Sequence, residues 1–249
     1  MAAIESVRIP GPTGLDLAGI LHHPRKGSSD TVVVVAHGML SSKDSDKHRS
    51  ICEAAAAVGA TAVRFDFRGR GESEGDPSIL TVSNEIEDFA AVIADVHHRG
   101  FTRVIAIGSS LGGTVALLSG AADRCIAGLV TIAAPARLPE QPREAWGGSQ
   151  QKDSGERIEV APGEFIDAEF FRDAQRHDVV AAAHAIDCPW LIIHGAADPV
   201  VPVEDAELLA ANGRDANLIV HPSAGHRFDQ PEEREWLIGR VVAFLGSRL

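Results

Sequence analysis

Arg103-Val104-Ile105-Ala106-Ile107-Gly108-Ser109-Ser110-Leu111-Gly112-Gly113-Thr114-Val115-Ala116-Leu117-Leu118 changes character in its middle. Residues 103–107 form a short β-branched apolar run, the pattern of a strand buried on both faces. Residues 113–118 are small and apolar, suited to a buried helix. Between them stands Gly-x-Ser-x-Gly. A turn this tight needs small residues on both flanks, and it pushes the Ser110 hydroxyl outward as a nucleophile. The pentapeptide alone is a weak signal, because a chain with 24 glycines can carry it by accident. A second copy, Gly71-Glu72-Ser73-Glu74-Gly75, lies in Gly- and charge-rich loop sequence with no apolar helix after it. Two carboxylates beside Ser73 also oppose an alkoxide-like nucleophile, so the context selects Ser110.

Outward from this turn, strand-like runs recur with helices between them. An N-terminal hairpin is expected over 6–9 and 15–22, and further strands over 31–36, 61–67, 102–107, 126–133, 189–193 and 217–220. Short apolar runs bounded by turn residues are typical of a parallel sheet covered on both faces. Ser83 is expected to cap a helix carrying Ile86, Phe89, Ile93 and Val96 on one face, with Gly100 beyond its end. A last helix opens on Pro231 with Glu232, Glu233 and Glu235 in its first turn. Its apolar stripe is Leu237, Val241, Phe244 and Leu245. The alternation predicts one doubly wound α/β domain over 1–249 with an eight-stranded sheet. Residues from about 137 to 186 break the pattern with Pro, Gly, Gln and charge. A stretch this long between strands is expected to be a lid or binding loop; the alternative is an exposed insertion that touches no ligand.

A serine nucleophile needs a base, and the base needs an orienting acid. In an open α/β sheet these groups converge beyond the carboxyl ends of strands. Of the 11 histidines, His226 in Pro222-Ser223-Ala224-Gly225-His226 follows the last strand. His221, at the end of that strand, is the rival. A structural histidine is the plain alternative for both. Asp198 follows the strand before, whereas Asp187 precedes that strand and Asp205 belongs to the next helix. The order Ser110, Asp198, His226 is one of the known chain orders for such a triad. Backbone N–H groups of Leu111 and of Met39, the latter after the strand ending at Ala36, are the expected oxyanion donors. His37 is expected to be a structural hydrogen-bonding residue.

Composition bounds the rest. Lys and Arg total 23 against 35 Asp and Glu, a formal charge of −12. That surface repels nucleic-acid backbones and anionic lipid, so neither is an expected partner. The absence of tyrosine excludes a phenolic base. Cys52, Cys125 and Cys188 lack metal-ligand spacing and are expected to be buried free thiols of a reducing compartment. No signal peptide or membrane span is legible, so a cytoplasmic protein is expected.

Ala36-His37-Gly38-Met39, the stretch Asp66-Phe67-Arg68-Gly69-Arg70-Gly71-Glu72-Ser73, the Ser110 turn, His194-Gly195-Ala196-Ala197-Asp198-Pro199 and Gly225-His226 together resemble the α/β-hydrolase superfamily along nearly the whole chain. Within it the chain is similar to small-lid bacterial esterases, including the feruloyl and cinnamoyl esterase group. It departs from a frequent pattern in having Ser109 where a histidine often precedes the nucleophile. Asp66 and Arg68 match a loop that is usually structural in that family.

The expected reaction is hydrolysis of a small carboxylic ester through an acyl-enzyme, with Ser110 as nucleophile, His226 as base and Asp198 orienting it. No cofactor or metal is implied. Leu40, Val200 and Trp146 are candidate substrate contacts, with Met39 beside them and Phe165, Phe170 and Phe171 as further large apolar residues of the lid. A thioesterase and a small-peptide or amide hydrolase would use the same residues. A non-catalytic ligand-binding protein on this fold is the alternative of another kind.

Overall fold

The computed structural model describes residues 3–25, 29–123, 125–139, 157–161 and 164–249. Its main sheet has eight strands in the order β1-β2-β4-β3-β5-β6-β9-β10. They are β1 (Ala3–Pro10), β2 (Asp16–His23), β3 (Thr31–Ala36), β4 (Thr61–Phe65), β5 (Arg103–Ser109), β6 (Ile126–Ile132), β9 (Trp190–Gly195) and β10 (Ala216–His221). The β1–β2 and β2–β4 pairings are antiparallel, and the other pairings are parallel. The strand expected to run to residue 67 stops at Phe65. There the chain turns, and the Asp66 N–H donates to Ala18 O (2.9 Å).

The continuous apolar strands have a direct cause in the layers above and below them. Along β3, Val32, Val34 and Ala36 join the hydrophobic cluster on one face, and Val33 and Val35 join that on the other. Along β5, Val104 and Ala106 divide from Ile105 and Ile107 in the same way. Side chains alternate across the sheet, so a strand covered on both faces must be apolar throughout.

The helices α1 (Asp46–Ala57) and α7 (Pro231–Gly246) cover one face. The buried stripe of α7 is Leu237, Val241, Phe244 and Leu245, as its spacing predicts. The opposite face is covered by α2 (Val82–His98), α3 (Leu111–Ala122), α4 (Glu169–Ala174), α5 (Val179–Ala185) and α6 (Val203–Asn212).

Helix α2 begins two residues before the place where a capping Ser83 would put it. Thr81 is the cap, its hydroxyl accepting from the Asn84 N–H at 3.0 Å. Ser83 lies inside the helix, where its N–H and hydroxyl both donate to Asp173 (2.8 and 2.6 Å) and clasp α4 to α2. A tertiary partner has taken a side chain that local preference assigns to the cap.

Between β6 and β9, a two-stranded hairpin, β7 (Arg157–Ala161) with β8 (Glu164–Asp167), precedes α4 and α5. Trp146 and most of the first half of this segment lie outside the described residues. Its start is tied to α6: Asp205 accepts from the N–H groups of Ala136 (2.8 Å) and Arg137 (3.2 Å) and pairs with the Arg137 guanidinium (2.7 Å). Cys52 and Cys188 are buried, but Cys125 is exposed, since it sits in the turn before β6 rather than in the core. Among the described residues no helix is long and apolar enough to cross a membrane.

Candidate active site

Strands β3, β5, β9 and β10 all run parallel, so their carboxyl ends lie along one edge of the sheet. Each of the four supplies a loop to one place.

After β5, Ser110 turns the chain directly into α3 with φ 55° and ψ −129°. A non-glycine residue held there is strained by about 1–3 kcal/mol, and the surroundings must over-determine it. The flanking glycines show how they do so. A Cβ on Gly108 would collide with Gly112 O, and one on Gly112 would collide with His37 O. Gly38 is equally confined: its Cβ would lie 2.8 Å from that of Ser110. The Ser110 N–H donates to Ile132 O at 2.8 Å, fixing the turn to β6. Ser110 thus projects from a point where three backbones meet.

His226 and Asp198 arrive from β10 and β9. The Ser110 hydroxyl lies 3.0 Å from His226 Nε2, and His226 Nδ1 lies 2.8 Å from Asp198 Oδ2. An ionised carboxylate only accepts, so Nδ1–H donates to Asp198 and leaves Nε2 to accept from Ser110. The other Asp198 oxygen accepts from the N–H groups of Val200 (2.8 Å) and Val201 (2.9 Å). Burial pushes the Asp198 pKa upward, but hydrogen bonds from His194, His226 and the Val201 N–H outweigh it. They hold this carboxyl well below the usual carboxylate range.

His221, the alternative base, is used otherwise. Its Nδ1 accepts from the Ala224 N–H (3.0 Å), and its ring packs edge-on against Trp236. It shapes the loop that presents His226. Ser73 is likewise committed: its hydroxyl donates to Asp66 O (2.6 Å) and accepts from the Ala18 N–H (2.8 Å). His37 is buried, with Nδ1 against Gly38 O (2.9 Å) and Nε2 accepting from the Phe67 N–H (3.2 Å). Asp66 is enclosed by Lys43, whose N–H and ammonium both donate to it, and by the Glu72 N–H. Arg68 is bound to Asp88. These groups brace the loops behind the site.

A cavity of about 440 Å³ opens beside Ser110, a size typical of small-molecule sites. Met39, Leu40, Leu111, Leu138, Phe170 and Val200 are among its walls. Ser41 N–H donates to Gly38 O, closing a turn in which Leu40 holds φ 56°, a conformation that glycine usually supplies. The turn aims Met39 and Leu40 at the cavity. Leu111 opens α3, where first-turn N–H groups lack intrahelical acceptors. Phe165 is exposed and does not line the cavity, and Phe171 is packed into the core.

Two nearby residues escape a sequence reading. His194 Nε2 lies 2.9 Å from Val201 O and 3.4 Å from Asp198 Oδ2. Burial disfavours its cation, but Asp198 and the Val201 carbonyl outweigh burial and raise its pKa. Its four-residue spacing from Asp198 is the available clue. Lys47 Nζ donates to Ser109 Oγ at 2.6 Å, a contact across 62 residues that no local pattern announces. Among the described residues no group of His, Cys, Asp and Glu is arranged to hold a metal ion.

An eight-stranded, mostly parallel sheet wrapped by helices, with a serine at the sharp turn after a central strand, is the α/β-hydrolase architecture. The chain belongs to the alpha/beta hydrolase family, whose sequence pattern matches residues 33–235. Among curated proteins it is similar to the mitochondrial palmitoyl-protein thioesterase ABHD10 of Pongo abelii, at 24% identity over 240 residues, covering 90% of this chain and 75% of that protein. It is also similar to the monoacylglycerol lipase of Mycolicibacterium smegmatis, at 26% identity over 256 residues, covering 88% and 89%. In three dimensions it matches Est1E from Butyrivibrio proteoclasticus, solved with ferulic acid bound, with a TM-score of 0.88, 22% identity and coverage of 97% and 98%.

Proposed function

We propose that this hydrolase cleaves small carboxylic esters through an acyl-enzyme formed on Ser110. The observation that carries the reading is the hydrogen-bonded chain from Ser110 Oγ through His226 to Asp198, opening on an apolar cavity. Ser110 Oγ forms a bond to the ester carbonyl carbon as its proton passes to His226 Nε2. The Met39 and Leu111 N–H groups hold the oxygen that becomes negative. The carbon–oxygen bond to the alcohol then breaks, and the proton on His226 goes to the departing oxygen. Water repeats the sequence: His226 takes its proton, the hydroxide oxygen bonds to the acyl carbon, and Ser110 leaves with the proton restored. Asp198 orients the imidazole and offsets its charge while it is protonated.

The segment from about 137 to 186 acts as a short lid on this cavity, a reading supported by Arg137, Leu138, Pro139 and Phe170 in the cavity wall. The likeness to an esterase solved with ferulic acid supports a compact aromatic acid as one acyl group. The likeness to a palmitoyl-protein thioesterase supports a second reading, thioester cleavage by the same serine. Labelling with a fluorophosphonate, with the adduct mapped by mass spectrometry, tests the shared chemistry. The adduct is expected on Ser110. A folded protein that takes no label there would overturn the mechanism. Rates on matched ester, thioester and amide substrates then separate the readings.

A further inference from the structure

Two cavities meet at Ser110. The apolar one lies toward Leu111 and Phe170. A second, of about 520 Å³, lies toward α1 and is bordered by Lys47, Ser109, Arg227, Asp229 and Arg234. Met39, Leu40, Ser110 and His226 border both.

The charges around the second cavity mostly cancel. Arg227 pairs with Asp229 (3.4 Å) and Arg234 with Asp46 (3.8 Å). Lys47 is different. Among the described residues it has no carboxylate within ion-pair distance, and its ammonium donates to the neutral Ser109 hydroxyl beside the nucleophile. It stands in the first turn of α1, where the helix dipole disfavours a cation. Burial lowers its pKa to about 8, against the weaker upward pull of Asp229 and Asp198; Arg227 pushes the same way as burial. His48, buried behind it, is held neutral. A cation kept under three unfavourable influences, at the wall of a cavity that reaches the nucleophile, is suited to an anionic ligand.

We propose that this second cavity receives the leaving alcohol of the substrate, that the alcohol carries a carboxylate, and that Lys47 is its counter-ion. The inference rests on the esterase reading above. The assignment of sides follows from the order of events. The acyl group stays on Ser110 until water attacks, so it belongs in the apolar cavity. The alcohol departs first, and water must then enter on the side it vacates, within reach of His226. A polar cavity can hold both in turn.

The test uses two butyryl esters of nearly equal shape, one of 3-hydroxypropionate and one of 3-hydroxypropanamide. The wild type is expected to favour the carboxylate ester by about tenfold in kcat/KM, the scale of one charge-assisted hydrogen bond. Lys47→Met should remove that preference, chiefly through KM, while the amide ester stays within about twofold. Lys47→Arg should restore part of it. In the wild type the preference should fade between about pH 7 and about pH 9 as Lys47 loses its proton. Equal rates on the two esters in the wild type, or equal losses on both in Lys47→Met, would overturn the inference. Should Lys47→Met not fold, the wild-type ratio and its pH dependence decide. Absence of turnover on both esters with Ser110 still labelled by a fluorophosphonate overturns the leaving-group assignment alone. Absence of the label overturns the esterase reading beneath it.

Discussion

At the scale of single residues, the two Gly-x-Ser-x-Gly serines part company because of what their hydroxyls touch. Ser110 faces an imidazole across a strained turn, and Ser73 is spent on backbone groups of β2 and of the turn after β4. Ser110→Ala is therefore expected to lower ester hydrolysis by roughly 10³-fold or more with the fold intact. Ser73→Ala should keep its turnover and lose about 1–3 kcal/mol of stability, since it leaves buried backbone groups without partners. Steady-state kinetics and urea unfolding of both variants check the pair. On the proposed mechanism, Asp198→Asn and His226→Ala should each cripple turnover, and either combined with Ser110→Ala should add little, because members of one triad act as a unit.

His22 belongs to the same scale. Its Nε2 accepts from Arg64 Nε at 3.0 Å, so protonation would remove an acceptor and set two cations together. Burial first, then Arg64, lowers its pKa to about 4. An unfolded chain takes up that proton near ~6.5. Between these values the unfolded state binds more protons, so the contribution of His22 is intact above ~6.5 and is lost as pH falls toward 4. Denaturation of wild type and His22→Gln across this range should show the wild type losing more stability. Parallel curves would remove His22 from the account.

At the scale of elements, the same chemistry that makes a helix start legible can be redirected by a neighbour. Thr81 and Ser83 are both cap-forming residues near the start of α2. The structure uses Thr81 for the cap and Ser83 to hold Asp173 on α4. Thr81→Ala is expected to cost about 1 kcal/mol, the usual value of a lost N-cap, measurable as a shift in the urea midpoint. An unchanged midpoint would mean that packing of Val82 and Phe89 alone sets the helix start. The turn into α3 shows the opposite case. Gly108, Gly112 and Gly38 are demanded by backbone approaching backbone, a constraint no other side chain escapes.

At the scale of the whole molecule, the proposed esterase reading makes the cavity beside Ser110 the bound on the acyl group. Its walls come from the β3 and β5 loops, the start of α3, α4 and the Asp198 loop, so its size is a property of the assembled fold. With about 440 Å³ available, kcat/KM is expected to peak on short acyl or compact aromatic acyl esters. Profiling acyl length from acetyl upward, with a cinnamoyl ester alongside, measures it. A maximum at twelve carbons or more (roughly, beyond what such a cavity encloses) with weak rates on the short and aromatic esters would overturn this bound.

The sheet, its two covering layers and the order of serine, aspartate and histidine loops were legible in the residues. Strand periodicity, turn residues and the rule that groups gather at the carboxyl ends of strands are local or topological, and they act wherever the pattern occurs. The distances that join Ser110, His226 and Asp198, the diversion of Ser83 and the placing of Lys47 on Ser109 belong to the tertiary structure. Each depends on side chains tens of residues apart meeting after the sheet has formed. Such meetings are governed by packing and desolvation at the contact itself, and neither leaves a period in the chain.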